Sequence, residues 1–326
     1  MVNSGRSPRR QLTPSRLAVA TAGRFGRWFS GLLPTVRRRI AAVRSGLRVV
    51  VALGLAGGLV DVSRAAETIN LAERSLRRIA EQQKDVFAQA VKQGDNLDES
   101  SFRTQVRAIA HEYELLVRNN PTFPAAYAAY GFFLTKVDMR KEATAMLLKA
   151  NQLDPDIPLV KNQLGNILAE DGKPLQAAPY FIAAIKLEPG EPLYHYQLGT
   201  VLAEARDEFL KTGEWTRASL DAAMHEAFKR ASELAPDRFE FAYRYAESFY
   251  DLEQPNWEVA LKLWSELEEK AQSAIERQTM RLHAANILIK TGKHGHARML
   301  LQTVDEPKLQ GQKERLLPQL QDPPKE

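Results

Sequence analysis

A repeat period of 34 residues in the middle of the chain constrains the fold more than any other feature. Several kinds of position recur at this step, and chance does not place so many columns in phase. The recurring residues are Pro121, Pro155 and Pro189; Gly131, Gly165 and Gly199; Tyr130, Leu164 and Leu198; Leu134, Leu168 and Leu202; Ala143 and Ala177; Leu147 and Phe181; and Ala150 and Ala184. The pattern predicts one small structural unit repeated along the chain.

Each recurring residue type has a role in a helical hairpin. A glycine in the middle of a helix costs about 1 kcal/mol relative to alanine, so its recurrence indicates a close approach of two helices. We expect the recurring alanines to lie on the opposing helix, and Leu147, Phe181 and Phe228 to fill the space between hairpins. A proline ends each second helix because its ring cannot continue the ladder of main-chain hydrogen bonds.

An insertion interrupts the period. Pro236 lies 47 rather than 34 residues after Pro189. The additional residues fall at 205–217, and we expect them to lengthen the first helix and the loop of that hairpin. Trp215 makes this segment either a contact site for a partner or an ordinary loop.

The segment before the repeats is also helical by pattern. Apolar residues spaced by three and four predict an amphipathic helix over 68–91. Asp98 or Ser100 can cap a second helix over 102–117. No part of the chain shows a sustained two-residue alternation, so we predict an all-α protein.

The order of large apolar residue, glycine, large apolar residue, alanine, bulky residue, alanine and proline resembles the tetratricopeptide repeat, a helix-turn-helix unit of 34 residues. The resemblance implies an α-solenoid in which antiparallel helix pairs stack into a right-handed superhelix. It is strong for the first units and weaker for the last two. The predicted organisation is an Arg-rich leader (1–65), a capping helical pair (66–118), repeats over 119–305 (units at about 122–155, 156–189, 190–236, 237–270 and 272–305) and a polar tail or marginal capping helix (306–326).

The resemblance places the binding function on the concave surface, which the first helix of each pair mainly forms. We predict that a partner contacts polar and aromatic residues that recur on this surface. They are Asn162, Asn166, Glu170, Tyr196, Thr200, Glu204, Tyr243, Glu247, Tyr250 and Asp251. The two asparagines are suited to bond the main chain of an extended segment that lies over the tyrosines.

An acidic column distinguishes this surface from that of family members that bind a C-terminal carboxylate. Those members carry Lys and Arg beside Asn, whereas Glu170, Glu204, Glu247 and Asp251 would repel a carboxylate. We therefore expect a protein or peptide partner that is neutral or basic. A plainer interpretation stays open, in which the asparagines and acids are solvated surface residues and the tyrosines pack against neighbouring helices.

Signals of catalysis, metal or cofactor binding are weak in the sequence. The chain has no cysteine, so disulfides, thiolate metal sites and a cysteine nucleophile are excluded. His294 and His296 form a close pair with no third ligand nearby, and His111 lacks the second histidine of a zinc-protease helix. No phosphate loop, dinucleotide fingerprint or nucleophile elbow is present. We predict no enzyme activity, no metal and no cofactor.

The basic residues are concentrated at the N-terminus. Residues 1–65 hold twelve arginines and a single acid, whereas the rest of the chain holds 33 basic and 39 acidic residues, a net charge of −6. A nucleic-acid binder carries its basic excess on the folded face, so we predict no nucleic-acid partner. A basic region at 37–48, an uncharged run at 49–60 and small residues at 63 and 65 are typical of a signal peptide. We expect export, with the bacterial periplasm as destination.

The length of the leader keeps other destinations open. Forty-eight residues precede the apolar run, which is more than a usual signal peptide has. A misassigned start codon, a retained membrane anchor and a mitochondrial presequence are the alternatives. The predicted function is a non-catalytic scaffold or adaptor that binds an extended partner segment. A membrane-anchored assembly factor and a regulatory accessory subunit of an enzyme complex are the alternative functions.

Overall fold

The computed structural model describes residues 62–320, with side chains from residue 71 onward. In chain order the α-helices are α1 (Val62–Gln93), α2 (Glu99–Asn119), α3 (Pro124–Lys136), α4 (Arg140–Leu153), α5 (Pro158–Glu170), α6 (Pro174–Leu187), α7 (Pro192–Glu204), α8 (Arg206–Lys211), α9 (Arg217–Leu234), α10 (Phe239–Ser248), α11 (Trp257–Lys270), α12 (Ala274–Lys290), α13 (His294–Gln302) and α14 (Gln310–Leu316). Short 3₁₀ turns follow α1, α10, α13 and α14, and no strand is present between residues 62 and 320. The predicted all-α class is confirmed.

The helices form two compact units, one with α1 to α4 up to residue 155 and one with α5 to α14 from residue 156. The predicted leader lies outside the described residues except for 62–65, which belong to α1. The apolar run at 49–60 is therefore outside them as well, and its role in export stays a prediction. Within residues 62–320, no helix combines the length and the apolar character needed to span a membrane.

The first unit has an aromatic core. The carboxylate of Asp98 accepts hydrogen bonds from two main-chain N–H groups in the first turn of α2, which confirms it as the cap. Phe87 of α1 meets Phe102 of α2 edge-on with 5.8 Å between ring centroids. The ring of Tyr113 lies 5.5 Å from that of Phe133 in α3. These buried rings join the first two helices to the first helix of the repeats.

In three hairpins, a glycine on the first helix faces a bulky side chain from the second. The pairs are Gly131 with Leu147, Gly165 with Phe181, and Gly199 with Phe228. A Cβ atom on any of these glycines would lie 2.6 to 2.8 Å from its partner's side chain, closer than carbon atoms can pack. The glycines therefore occupy equivalent helix crossings, as the sequence predicts. Each bulky residue packs on the glycine of its own hairpin, and the ring of Phe228 also faces the next hairpin, with the guanidinium carbon of Arg244 4.7 Å from its centroid.

The turn inside a hairpin uses a residue with left-handed backbone. The φ angle is +67° at Asp138 and +71° at Gly172, which lies one repeat period later. Glycine adopts this conformation without steric cost, and aspartate is among the few other residues that tolerate it. The chain can thus reverse between two helices within three residues.

The insertion does not lengthen the first helix of its hairpin, which corrects that prediction. α7 has 13 residues, as α3 and α5 do. The added residues instead form the six-residue helix α8 and a loop, and α9 has 18 residues against 14 in α4 and α6. Gly199 contacts Phe228 where α7 and α9 cross. The inserted residues therefore lie between the end of α7 and the start of α9. Phe209 of α8 is buried beside Val201 and Leu220.

Two further hairpins, α10 with α11 and α12 with α13, complete the second unit. Of the two alternatives predicted for 306–326, a polar tail or a marginal capping helix, the helical one is present as far as residue 320. Leu309 and Leu320 are buried in one cluster with Leu301 of α13, and Lys313 donates a hydrogen bond of 2.7 Å to the carbonyl of Val304. This segment covers the apolar end of the second unit, as a terminal unit of a repeat array requires.

Candidate functional site

A cleft of about 420 Å³ opens between α5, α6, α7 and the inserted helix α8. Its lining consists of Asn166, Ala169, Glu170, Gly172, Pro174, Phe181, Gln197, Thr200, Val201, Glu204, Ala205 and Glu208. Four of the ten predicted binding residues are in this set: Asn166, Glu170, Thr200 and Glu204. The structure therefore brings together the part of the predicted surface that α5 and α7 contribute.

Helix periodicity explains the meeting of these four residues. Asn166 and Glu170 are four residues apart on α5, and so are Thr200 and Glu204 on α7, so each pair lies on one helix face. The two pairs are one repeat period apart, and equivalent positions in successive hairpins face the same side. The result is two polar rows along the cleft, one with an amide and a hydroxyl, the other with two carboxylates.

The cleft has an apolar floor and an acidic rim. Ala169, Pro174, Phe181 and Val201 contribute the apolar part of the lining, and Phe181 is 1% exposed. The side chains of Glu170, Glu204 and Glu208 are exposed at the edge.

The polar groups of the cleft can form hydrogen bonds with a polypeptide main chain. The hydroxyl of Thr200 donates to the carbonyl of Tyr196 at 2.9 Å, so its proton is engaged within α7. The amides of Asn166 and Gln197 provide both donors and acceptors for a main chain. Histidine, lysine and serine are missing from the lining residues, so these offer no nucleophile with an adjacent nitrogen base.

Asn162 does not line the cleft. It is 2% exposed, and its Oδ1 accepts no hydrogen bond from the residues that the structure describes. An extended ligand in the cleft would therefore meet Asn166 but not Asn162. Of the two asparagines predicted to bind a partner, only Asn166 lines the cleft.

Tyr196 packs between hairpins. Its ring centroid lies 4.7 Å from that of Phe241 and 5.8 Å from that of Phe228. Its hydroxyl donates a hydrogen bond of 2.8 Å to Glu240. Burial raises the pKa of Tyr196, so the phenol keeps its proton and the bond to the carboxylate persists.

Tyr243 and Tyr250 belong to a second aromatic cluster, around His283 and Trp264. The imidazole of His283 stacks on the indole of Trp264 with 4.0 Å between ring centroids. The hydroxyl of Tyr250 donates to the carbonyl of His283 at 3.1 Å, and that of Tyr243 lies 3.4 Å from its Nε2. Burial lowers the pKa of His283 to about 4, so the ring is neutral at pH 7. The two tyrosines pack within the unit, as the plainer interpretation expects.

Glu247 and Asp251 already have cationic partners. Arg244 contacts Glu247 at 2.5 Å, and burial raises the pKa of that carboxyl more than the arginine lowers it. Arg206 reaches Asp251 at 3.0 Å, and Arg217 reaches it at 3.6 Å. These two acids therefore contribute less negative charge to the surface than the sequence predicts.

Three residues that matter at the cleft were not predicted as site residues. Gln197 and Glu208 line it, and Arg206, on the helix that carries Glu208, forms ion pairs with Asp221 and Asp251. Gln197 has a repeat signal, since Gln163 precedes it by one period. Glu208 and Arg206 lie in the insertion, where the repeat offers no equivalent position.

The histidine pair lies outside the cleft. His294 and His296 lie in the first turn of α13. Among residues 62–320, no group of three or more His, Asp and Glu side chains is placed to hold a metal ion.

The arrangement of helices is similar to that of solved tetratricopeptide-repeat proteins. YrrB, a tetratricopeptide-repeat protein with an unusual peptide-binding site, aligns with a TM-score of 0.51 and 17% identity over 60% of this chain and 91% of its own. PilF of Pseudomonas aeruginosa has a TM-score of 0.46 and 16% identity, covering 74% of this chain and 94% of its own. MamA from Desulfovibrio magneticus RS-1 has a TM-score of 0.44 and 14% identity, covering 61% and 98%.

No protein-family model and no curated protein matches the chain. The likeness to YrrB concerns the fold. The tetratricopeptide-repeat fold expected from the sequence is confirmed.

Proposed function

We propose that this chain, which has a tetratricopeptide-repeat fold, is a non-catalytic protein-interaction module that binds an extended segment of a partner in the cleft between α5, α6, α7 and α8. The observation that carries the proposal is the pairing of two polar rows over an apolar floor. A fold of this kind holds a peptide-binding site in YrrB. For the present chain, the lining residues themselves supply the argument.

The lining determines the chemistry of the occupant. An extended main chain has unpaired N–H and C=O groups, which the amides of Asn166 and Gln197 can satisfy. Glu170, Glu204 and Glu208 attract a cationic side chain and disfavour a carboxylate terminus. The proposed occupant is therefore an internal, extended segment with a lysine or arginine, which agrees with a neutral or basic partner.

The volume of the cleft favours a side chain with its backbone rather than a whole helix as the occupant. A volume of about 420 Å³ holds a few side chains with a stretch of backbone. The apolar floor can cover the methylene groups of a lysine while the ammonium group meets the carboxylate rim. The proposed ligand is thus an extended segment whose cationic side chain enters the cleft.

Binding can be tested with peptides of defined composition. The probes are fluorescent twelve-residue peptides of Ala, Asn and Gln with one central lysine, the same peptides with norleucine, and peptides that place a free carboxylate there. Fluorescence anisotropy with the full chain should rank lysine over norleucine over carboxylate. Equal affinity for all three would contradict the proposed ligand class.

The position of the ligand can be tested with matched substitutions. Thr200→Trp should block the cleft, whereas Gln176→Trp changes an exposed residue that does not line it. Glu204→Lys should weaken the lysine peptide, whereas the control Glu253→Lys makes the same charge change at an exposed residue outside the cleft. Because the chain has no cysteine, Gln197→Cys carries the only thiol for a photocrosslinker. If the photocrosslinker at residue 197 does not join the chain to the lysine peptide, the assignment of the ligand to the cleft is wrong.

A further inference from the structure

We propose that Arg206 is a positioning residue that holds the inserted helix α8 as the fourth wall of the cleft, and that this wall selects the occupant. The inference rests on the proposed function, because the wall belongs to the same cleft.

The wall exists only because of the insertion. In the hairpins of α3 with α4 and α5 with α6, three residues separate the two helices. In the hairpin of α7 with α9, residues 205–216 lie between them. Ala205 and Glu208, which line the cleft, both come from this segment. The regular repeat would leave this side of the cleft open.

α8 needs tertiary contacts to keep its place. A helix of six residues is far shorter than isolated helices that are stable in water. Phe209 is its buried residue, and the N–H groups of Glu208 and Phe209 both donate to the carbonyl of Ala205. Phe209 and the partly buried Leu210 both belong to the last turn of this helix. A second anchor near its first residue is needed to hold the other end and to keep Glu208 toward the cleft.

Arg206 provides that second anchor. Its Nε lies 2.8 Å from Oδ1 of Asp221 in α9, and its Nη2 lies 3.0 Å from Oδ2 of Asp251 in the 3₁₀ turn after α10. The delocalised charge of one guanidinium can attract two carboxylates at once. One side chain thus joins α8 to two other elements of the same unit.

The burial of this contact makes it difficult to break. The side chain of Asp221 is 3% exposed and that of Arg206 is 20% exposed. Separating a shielded ion pair leaves charges that water reaches poorly. Arg217 also contacts both acids, but its side chain is 53% exposed and it belongs to α9 rather than to the wall. Arg206 and Arg217 therefore contact the same two carboxylates, but only Arg206 belongs to the inserted helix α8.

The orientation of α8 also sets the position of a carboxylate that lines the cleft. Glu208 is two residues from Arg206, so the orientation of α8 decides whether its carboxylate stands beside Glu170 and Glu204. With the wall in place, a cationic side chain meets three carboxylates. Without the wall, only the carboxylates of Glu170 and Glu204 remain, and that end of the cleft opens to water. Water weakens the attraction between these carboxylates and a cationic side chain.

The experiment compares Arg206→Gln with the matched control Arg217→Gln in the full chain. Hydrogen exchange of the amides of Glu208 and Phe209 reports the wall directly, without a ligand. The preference for the lysine peptide over its norleucine counterpart, measured by anisotropy, reports selection. Arg206→Gln should speed exchange at these amides by about ten-fold or more and should reduce the preference by about five-fold. Arg217→Gln should leave both measurements within about two-fold of the unaltered chain.

Asp251→Asn provides a second test if Arg206→Gln folds poorly, because it loosens the same contact and keeps the Asp221 pair. It should change both measurements in the same direction. Equal effects of Arg206→Gln and Arg217→Gln, or faster exchange with an unchanged peptide preference, would overturn the inference. If no peptide binds the unaltered chain, the proposed function and the selection both fail, whereas the exchange result still decides whether Arg206 holds the wall.

Discussion

The ring of Phe181 occupies the space that a side chain at residue 165 would need. A Cβ atom on Gly165 would lie 2.8 Å from Cε1 and 2.9 Å from Cδ1 of that ring. Gly165→Ala should lower the free energy of unfolding by about 1–3 kcal/mol, although alanine favours a helix, because the ring must be displaced. Urea denaturation followed by circular dichroism measures this change.

Two controls separate crowding from other effects of this substitution. Gly295→Ala on α13 has no atom within 4 Å of the added methyl group, so it should be neutral or stabilising by up to about 1 kcal/mol. In the background of Phe181→Ala, where the ring is gone, Gly165→Ala should lose its cost. The same cost in both backgrounds would refute the crowding explanation.

The neutral imidazole of His283 makes stability depend on pH. Its pKa is lowered from 6.5 to about 4 in the folded chain, so between these values the unfolded state binds a proton that the folded state does not. The contribution is fully present above pH 6.5 and is lost as the pH falls toward 4, by at most about 3 kcal/mol. His283→Phe should flatten the profile of unfolding free energy over this range. A profile unchanged by the substitution would assign the pH dependence to other groups.

The buried carboxylate of Asp221 should contribute strongly to stability. It lies against two guanidinium groups, those of Arg206 and Arg217. Asp221→Asn should lower the free energy of unfolding by roughly 2–3 kcal/mol, since hydrogen bonds to charged groups are among the stronger ones. Glu253→Gln, which makes the same change at an exposed residue, should stay within about 0.5 kcal/mol. Thermal or urea unfolding of the two variants decides between these expectations.

Tyr196 should act in packing rather than in binding. Tyr196→Phe removes the hydrogen bond to Glu240 and keeps the ring contacts with Phe228 and Phe241. We expect a loss of about 0.5–1.5 kcal/mol in unfolding free energy and an unchanged affinity for the lysine peptide. A large loss of affinity with unchanged stability would show instead that Tyr196 takes part in binding the peptide.

The repeats were predictable because their information is local. The glycine and proline columns describe single hairpins, in which Gly131 and Leu147 or Gly165 and Phe181 are sixteen residues apart. The same columns predicted that Asn166, Glu170, Thr200 and Glu204 would share a surface, and all four line the cleft. A period determines which residues are equivalent, and equivalent residues on successive hairpins face one side.

Other features depend on contacts that no local pattern contains. The position of α8 depends on ion pairs from Arg206 to Asp221 and Asp251, residues that lie outside the helix itself. The packing of Tyr243 and Tyr250 depends on His283 in a later hairpin. A repeat column relates Tyr243 to Tyr196, but the neighbours that cover the tyrosines can be seen only in the folded chain.

The separation of Gly199 and Phe228 along the chain has a kinetic consequence. These residues are 29 positions apart, whereas the corresponding partners in the two preceding hairpins are sixteen apart. Closing a longer loop costs more entropy, and each doubling of length adds about 0.6 kcal/mol. We expect the interrupted hairpin to close about two-fold more slowly than the two hairpins before it on this entropy alone, so the segment that walls the cleft is set in place after them.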